Sequence, residues 1–375
     1  MPRLPERVCD PLLFSKSLYT ASLRRTGHFK ASSYLFTTTT PSKLPFSPRG
    51  TFKTPPPSDS NKTASTKPLI ATVLFSLAAA TVGSVVYFRP GIGRDIGANM
   101  SSKLVPSNPD EVMVIRDVTP NVVTFSVPFL RFGKIPIGGR GTLVKLSNNS
   151  LAVFSPVALT PSTLSKISTF GSGQVSYIIA TDIEHHIFVS EWARAFPNAK
   201  IIGPEGLPEK RSKVTNDERI GNEPFSVVFT KENKHSTKID EDFDRDFEYE
   251  YVESHPNKEL VFFYKPDKVL IQADFMFNLP AIEQYSKVPE AEKPHGSLLG
   301  RLFQGMNSTE GEAKGIKRFL WYGMSRGDRP AFNESVRRIN GWGFETIVPC
   351  HGETIVGNGK EVFEKVFEWH LVGHK

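Results

Sequence analysis

Four short stretches of the 375-residue chain carry side chains able to bind a metal ion or move a proton. Ala180-Thr-Asp182-Ile-Glu184-His185-His186 follows the apolar run from Val175. Glu253-Ser-His255-Pro precedes the run LVFFY at 260–264. Gln272-Ala-Asp274 closes KVLIQ, and Pro349-Cys-His351-Gly352 closes ETIV. Imidazole nitrogens and carboxylate oxygens at strand ends are the donors of a hydrolytic metal centre, because loops there can aim side chains from distant segments at one point. Each histidine also has a plain reading. His185 and His186 can open a helix, His255 can be a turn residue before proline, and His351 can close a strand ahead of Gly352. His28, His235, His295, His370 and His374 have no partner at useful spacing.

The elements that must position these stretches read as follows. Residues 111–116 and 121–127 are β-rich runs separated by Thr-Pro, and 141–146 and 150–154 flank Ser147-Asn148-Asn149 as a hairpin. Residues 161–168 suit a helix with Ser162 or Thr163 near its N-cap. VSYIIA at 175–180 is a strand buried on both faces, and 186–196 has apolar residues at helical spacing. Residues 201–202 and 225–229 are further strands. The acidic run DEDFDRDFEYE at 240–250 reads as a solvated loop or edge strand. Runs 260–264 and 268–272 form a hairpin about Lys265-Pro266-Asp267. Helices are expected over 311–323, 332–340 and 360–371, and a last strand over 345–348. Continuous apolar strands mixed with helices predict an α/β sandwich with the sheets inside.

The order of the four stretches resembles the metallo-β-lactamase superfamily over roughly 111–371. It is also similar to a degenerate eukaryotic branch of that superfamily carrying a domain of unknown function, which shares the Glu184-His185-His186-Ile-Phe188 stretch and the one from Pro197 to Leu207. The resemblance implies an αββα sandwich. Laid on the family's His-x-His-x-Asp-His loop, this chain has Ala180, Asp182, Glu184 and His185. The family's lone histidine falls on His255, its bridging aspartate on Asp274 and its last histidine on His351. One family metal would meet Ala180, Asp182 and His255, and so loses a ligand. The other would meet Glu184, His185, Asp274 and His351, all able to bind. The resemblance therefore implies one divalent ion (zinc, iron or manganese) among Glu184, His185, His255, Asp274 and His351, with Asp182 as general base. Its implied function is hydrolysis of a small-molecule ester, lactone, thioester or amide. The alternatives are a metal-free pseudoenzyme serving as a binding or scaffold module, and an iron-dependent oxidase of the same fold.

Residues 1–67 hold 11 Lys+Arg against 3 Asp+Glu, a net +8 beside +7 for the whole chain, so residues 68–375 carry about −1. The basic balance belongs to this leader and is not evidence for a nucleic-acid-binding domain, so no nucleic-acid partner is expected. A leader rich in Ser, Thr, Pro and Arg reads as disordered and as a mitochondrial targeting segment. Residues 69–88 are 20 uncharged residues between Lys67 and Arg89, long enough as a helix to cross a roughly 30 Å hydrocarbon core. The expected organisation is a leader at 1–67, a single transmembrane helix at 69–88, a linker at 89–108 and the folded domain at 109–375. A mitochondrial membrane fits this order, with a secretory-pathway membrane as the alternative and Met100 as a potential start of a shorter form. Cys9 and Cys350 are the only cysteines, so no structural disulfide is expected.

Overall fold

A computed structural model describes residues 108–294 and 297–374. The leader, the span at 69–88 and nearly all of the linker lie outside the described residues. Among those described, no helix is long and apolar enough to cross a membrane.

Nine strands run in chain order through the first half of the domain. They are β1 (Val114–Thr119), β2 (Val122–Val127), β3 (Leu130–Arg131), β4 (Ile135–Pro136), β5 (Gly139–Lys145), β6 (Leu151–Phe154), β7 (Val175–Ile179), β8 (Lys200–Pro204) and β9 (Val227–Phe229). Seven form one sheet in the order β1-β2-β5-β6-β7-β8-β9, and β3 with β4 makes a separate two-stranded ribbon. Pairing is antiparallel as far as β6 and parallel from β6 to β9. The change coincides with the helices Pro161–Ser168 and Val189–Ala195, which supply the crossovers that parallel strands need. The second sheet is β10 (Phe247–Val252), β11 (Glu259–Tyr264), β12 (Val269–Gln272) and β13 (Thr346–Pro349), with only the β12–β13 pair parallel.

Alternation along the strands sorts the side chains into layers. Ala152, Phe154, Tyr177 and Ile179 of the first sheet share one core with Leu260, Phe262, Tyr264 and Val348 of the second. The intervening Leu151, Val153 and Ile178 pack outward on Ile167, Val189, Trp192 and Leu207 of helices. Val261, Phe263, Leu270 and Ile347 pack outward on helical Ile316, Phe332, Val336 and Phe363. The result is helix, sheet, sheet, helix: a mixed α/β architecture that fits the metallo-β-lactamase-like sandwich.

Three local expectations need correction. Thr160, not Ser162 or Thr163, caps the helix Pro161–Ser168: its hydroxyl accepts the Thr163 N–H at 3.2 Å, and Pro161 takes the first helical position. His186 precedes its helix, which begins at Val189. The acidic run is split. Asp240 caps a helix over Glu241–Asp246, whose first-turn acids suit the helix dipole, and β10 follows as an edge strand.

Candidate metal centre

The C-terminal ends of β7, β12 and β13 meet at one edge of the sandwich. Two backbone bonds stitch the sheets there, Leu260 N–H to the Thr181 carbonyl at 2.6 Å and Ile183 N–H to the Asn257 carbonyl at 3.0 Å. Past these ends the chain leaves the ladders, and its side chains turn to one another. His185 Nε2 lies 3.2 Å from His351 Nε2, and Asp274 Oδ1 lies 3.1 Å from the same His351 nitrogen. The donor atoms of these three residues all fall within 4.8 Å of one another. His351 and Asp274 are buried, and the His185 side chain is 18% exposed, leaving one edge of the cluster open.

The partners of the outer ring nitrogens fix the tautomers. His351 Nδ1 sits 2.7 Å from the Gly138 carbonyl, which can only accept, so that nitrogen carries hydrogen. His185 Nδ1 faces the Asp182 carboxylate at 2.9 and 3.0 Å and carries hydrogen for the same reason. In the neutral rings both Nε2 atoms are bare lone pairs aimed at each other. Asp274 Oδ1 joins them with no hydrogen-bond partner, while its Oδ2 accepts from Asn257 Nδ2 at 2.6 Å. Three electron-rich atoms this close and this buried require a positive charge among them. A divalent ion fits. Two nitrogens about 2.0–2.1 Å from zinc at the tetrahedral angle stand about 3.3 Å apart, against 3.2 Å here.

Without a metal a proton does the same work. Burial opposes the His185 imidazolium, but Asp182 and then Asp274 outweigh it and carry His185 up to about 9. Asp274 is held below the ordinary carboxylate range, since His185 and His351 beside it overcome the cost of burial.

The remaining candidates are placed differently. Asp182 is fully buried, and besides the His185 ring it accepts the Glu184 and His185 backbone N–H groups, each at 2.7 Å. The Glu184 carboxylate pairs with Lys210 at 2.8 Å and Arg131 at 3.8 Å and lies outside the three-residue cluster. His255 is buried and also outside it. Its Nδ1 accepts the Asn257 N–H at 3.2 Å, its Nε2 has no hydrogen-bond partner, and burial pulls it down to about 4. Its Nδ1 lone pair is thus already taken, whereas a ligand bound through Nε2 needs hydrogen on Nδ1. His186 is buried against Arg211, whose Nη1 donates to its carbonyl at 2.8 Å.

Three supporting residues escaped the sequence reading. Buried Arg140 of β5 donates to the Pro349 and Gly352 carbonyls, at 2.6 and 2.7 Å, on either side of His351. It is itself held by Ser126 Oγ at 2.9 Å and Glu283 at 3.2 Å. Buried Glu259 accepts the backbone N–H groups of Ala273 and Asp274. Asn257 fixes the far oxygen of Asp274. The signal available was a charge placed against a buried β-run: Arg140 between Gly139 and Gly141 of β5, and Glu259 opening β11.

The two packed sheets with helices outside and the strand-end cluster fit a metallo-β-lactamase-like fold. Residues 132–314 match a family model described as "Domain of unknown function (DUF4336)". No curated protein matches the chain. Among solved structures, it is similar to a metallo-β-lactamase from Pontibacter korlensis, at 11% identity over 68% of this chain and 99% of that one, TM-score 0.42. It is also similar to the metal-soaked Flv1 flavodiiron core from Synechocystis sp. PCC6803, at 12% identity over 69% of this chain and 60% of that one, TM-score 0.46.

Proposed function

We propose that the chain is a metal-dependent hydrolase with a single-metal centre held by His185, Asp274 and His351, tethered to a membrane by residues 69–88. The observation that supports the metal is the convergence of two bare imidazole nitrogens and an unpartnered carboxylate oxygen in a buried space. Two nitrogens and one oxygen suit zinc, iron or manganese. Such an ion supplies acidified water and a polarised carbonyl at neutral pH, the requirements for cleaving an ester, lactone, thioester or amide. The residues of the chain do the positioning. Asp182 and Gly138 keep hydrogen on the outer nitrogens, so the inner lone pairs stay free. Asn257 holds Oδ2 of Asp274 and leaves Oδ1 for the ion. With both its oxygens on His185, Asp182 serves better to orient that ring than to take a proton from water.

The proton at His185 supports a second reading, a metal-free member of the fold acting as a binding module. Elemental analysis of the purified full chain by inductively coupled plasma mass spectrometry separates the two. About one equivalent of zinc, iron or manganese, lost in Asp274→Ala, is the expected result. No metal in either protein after reconstitution overturns the hydrolase and leaves the proton-held site.

A further inference from the structure

Next to His185 in the chain, the Glu184 carboxylate is shared by two cations. Lys210, from the helix Leu207–Ser212, places Nζ 2.8 Å from Glu184 Oε1 and 2.6 Å from the Ile183 carbonyl. Arg131, from β3 of the separate ribbon, reaches Glu184 Oε2 at 3.8 Å. Its guanidinium lies 5.1 Å from the centre of the Phe132 ring and, among the described residues, donates no hydrogen bond. All three side chains are partly open to solvent, at 25% for Arg131, 33% for Glu184 and 38% for Lys210. Glu184 precedes His185 in the chain, so this trio stands next to the reacting atoms rather than on a remote surface.

We propose that Arg131 and Lys210 form an oxyanion-recognition site at the mouth of the centre, occupied by Glu184 until a substrate carboxylate or phosphate displaces it. This rests on the hydrolytic reading and names its substrate class: a molecule with a scissile carbonyl and an anionic group a few bonds away. The exchange is favourable for three reasons. The Glu184 pairs are solvent-screened, and the Arg131 contact is too long for a hydrogen bond, so little is lost on breaking them. An unengaged guanidinium fork binds a carboxylate or phosphate through two parallel charge-assisted bonds. The trio itself carries a net charge of +1, which favours an anion at that position. The charge of Arg131 already acts on Asp274 within the cluster.

The test is calorimetric binding to the full chain stripped of metal, so that neither turnover nor ligation to an ion contributes. The probes are glutarate, inorganic phosphate and the neutral glutaramide. Expected is binding of glutarate or phosphate with glutaramide silent, weakened about tenfold in Arg131→Met and in Lys210→Met. Glu184→Gln removes the internal competitor and should tighten binding several-fold. Lys134→Met, on the same ribbon but outside the trio, should change it less than twofold. Tighter glutarate assigns a carboxylate, and tighter phosphate a phosphoryl group. Equal binding of glutaramide, indifference to Arg131→Met, or weaker binding in Glu184→Gln overturns the proposal. Anion binding that passes these tests in a chain that takes up no metal would remove the hydrolase and leave the recognition site standing.

Discussion

At the scale of the residue, what matters is which atom of each ring is committed elsewhere. His185 and His351 each spend one nitrogen on a fixed acceptor, and that commitment presents the other. His185→Ala and His351→Ala should therefore each abolish metal uptake by the full chain, while His235→Ala, outside the cluster, should leave it intact. Equal loss in all three would show that the centre lies elsewhere. Arg140 touches no ligand side chain, yet it clamps the carbonyls flanking His351. Arg140→Met would leave both carbonyls without their donor, while Glu283 keeps Arg116 at 2.9 Å, costing about 2–3 kcal/mol of stability in urea unfolding. Arg140→Lys keeps the charge but not the fork, and should recover part of the stability while metal affinity stays reduced. The histidines and Asp274 were legible in the sequence because strand ends mark themselves by a change of pattern. The partition of Glu184 from the cluster was not, because spacing does not say that a longer carboxylate will find Lys210.

At the scale of the element, the continuous apolar runs gave β7, β11 and β12 within a residue or two, since a strand buried on both faces has no competing pattern. The acidic run over 240–250 was harder. Its charge suggested solvent, but a cap and a dipole decide its structure. Asp240 accepts the Phe243 N–H at 2.9 Å, starts a helix that puts Phe243 and Phe247 in stacked contact at 4.4 Å, and thereby leads β10 into the second sheet. The same carboxylate binds the Tyr177 hydroxyl at 2.9 Å and Lys200 at 2.6 Å. Asp240→Ala should destabilise the domain by about 1–2 kcal/mol, a cap plus a phenol of buried Tyr177 left without its acceptor. Asp240→Asn retains an acceptor for both the backbone and the phenol, and should lose less than half of that in the same urea titration. Equal losses would place the effect in the Lys200 ion pair instead.

At the scale of the whole molecule, burying four layers traps imidazoles that no element needs charged. Burial pulls His186, His255 and His370 to about 3, about 4 and about 3, reinforced by Lys210 and Arg211 at His186 and by Arg329 at His370, and opposed by Asp274 and Asp182 at His255. An unfolded imidazole titrates near 6.5. Below that value the unfolded chain binds protons that the folded one refuses, so the stability these residues permit is fully present above about pH 6.5 and is lost as pH falls towards 4. His185 has the opposite sign: raised to about 9 by Asp182 and Asp274 against burial, it supports the metal-free fold below pH 6.5, and that support fades as pH rises through 9. The acid limb can be isolated at His370. It lies outside the cluster, packed 5.0 Å from the Phe332 ring and 5.1 Å from Trp321, with Nδ1 lacking a partner and Arg329 disfavouring its charge. His370→Leu keeps the apolar packing and removes the titrating group. All four tryptophans, at 192, 321, 342 and 369, belong to the described domain, so their fluorescence follows its unfolding without a contribution from the leader. The urea midpoint of the wild-type chain should fall steadily from pH 6.5 to pH 4.5, and that of His370→Leu should fall less over the same interval. Parallel curves would mean that His370 is protonated in the folded state at little cost, and would shift the acid sensitivity to His186, in the loop that also carries His185, and to His255 between β10 and β11.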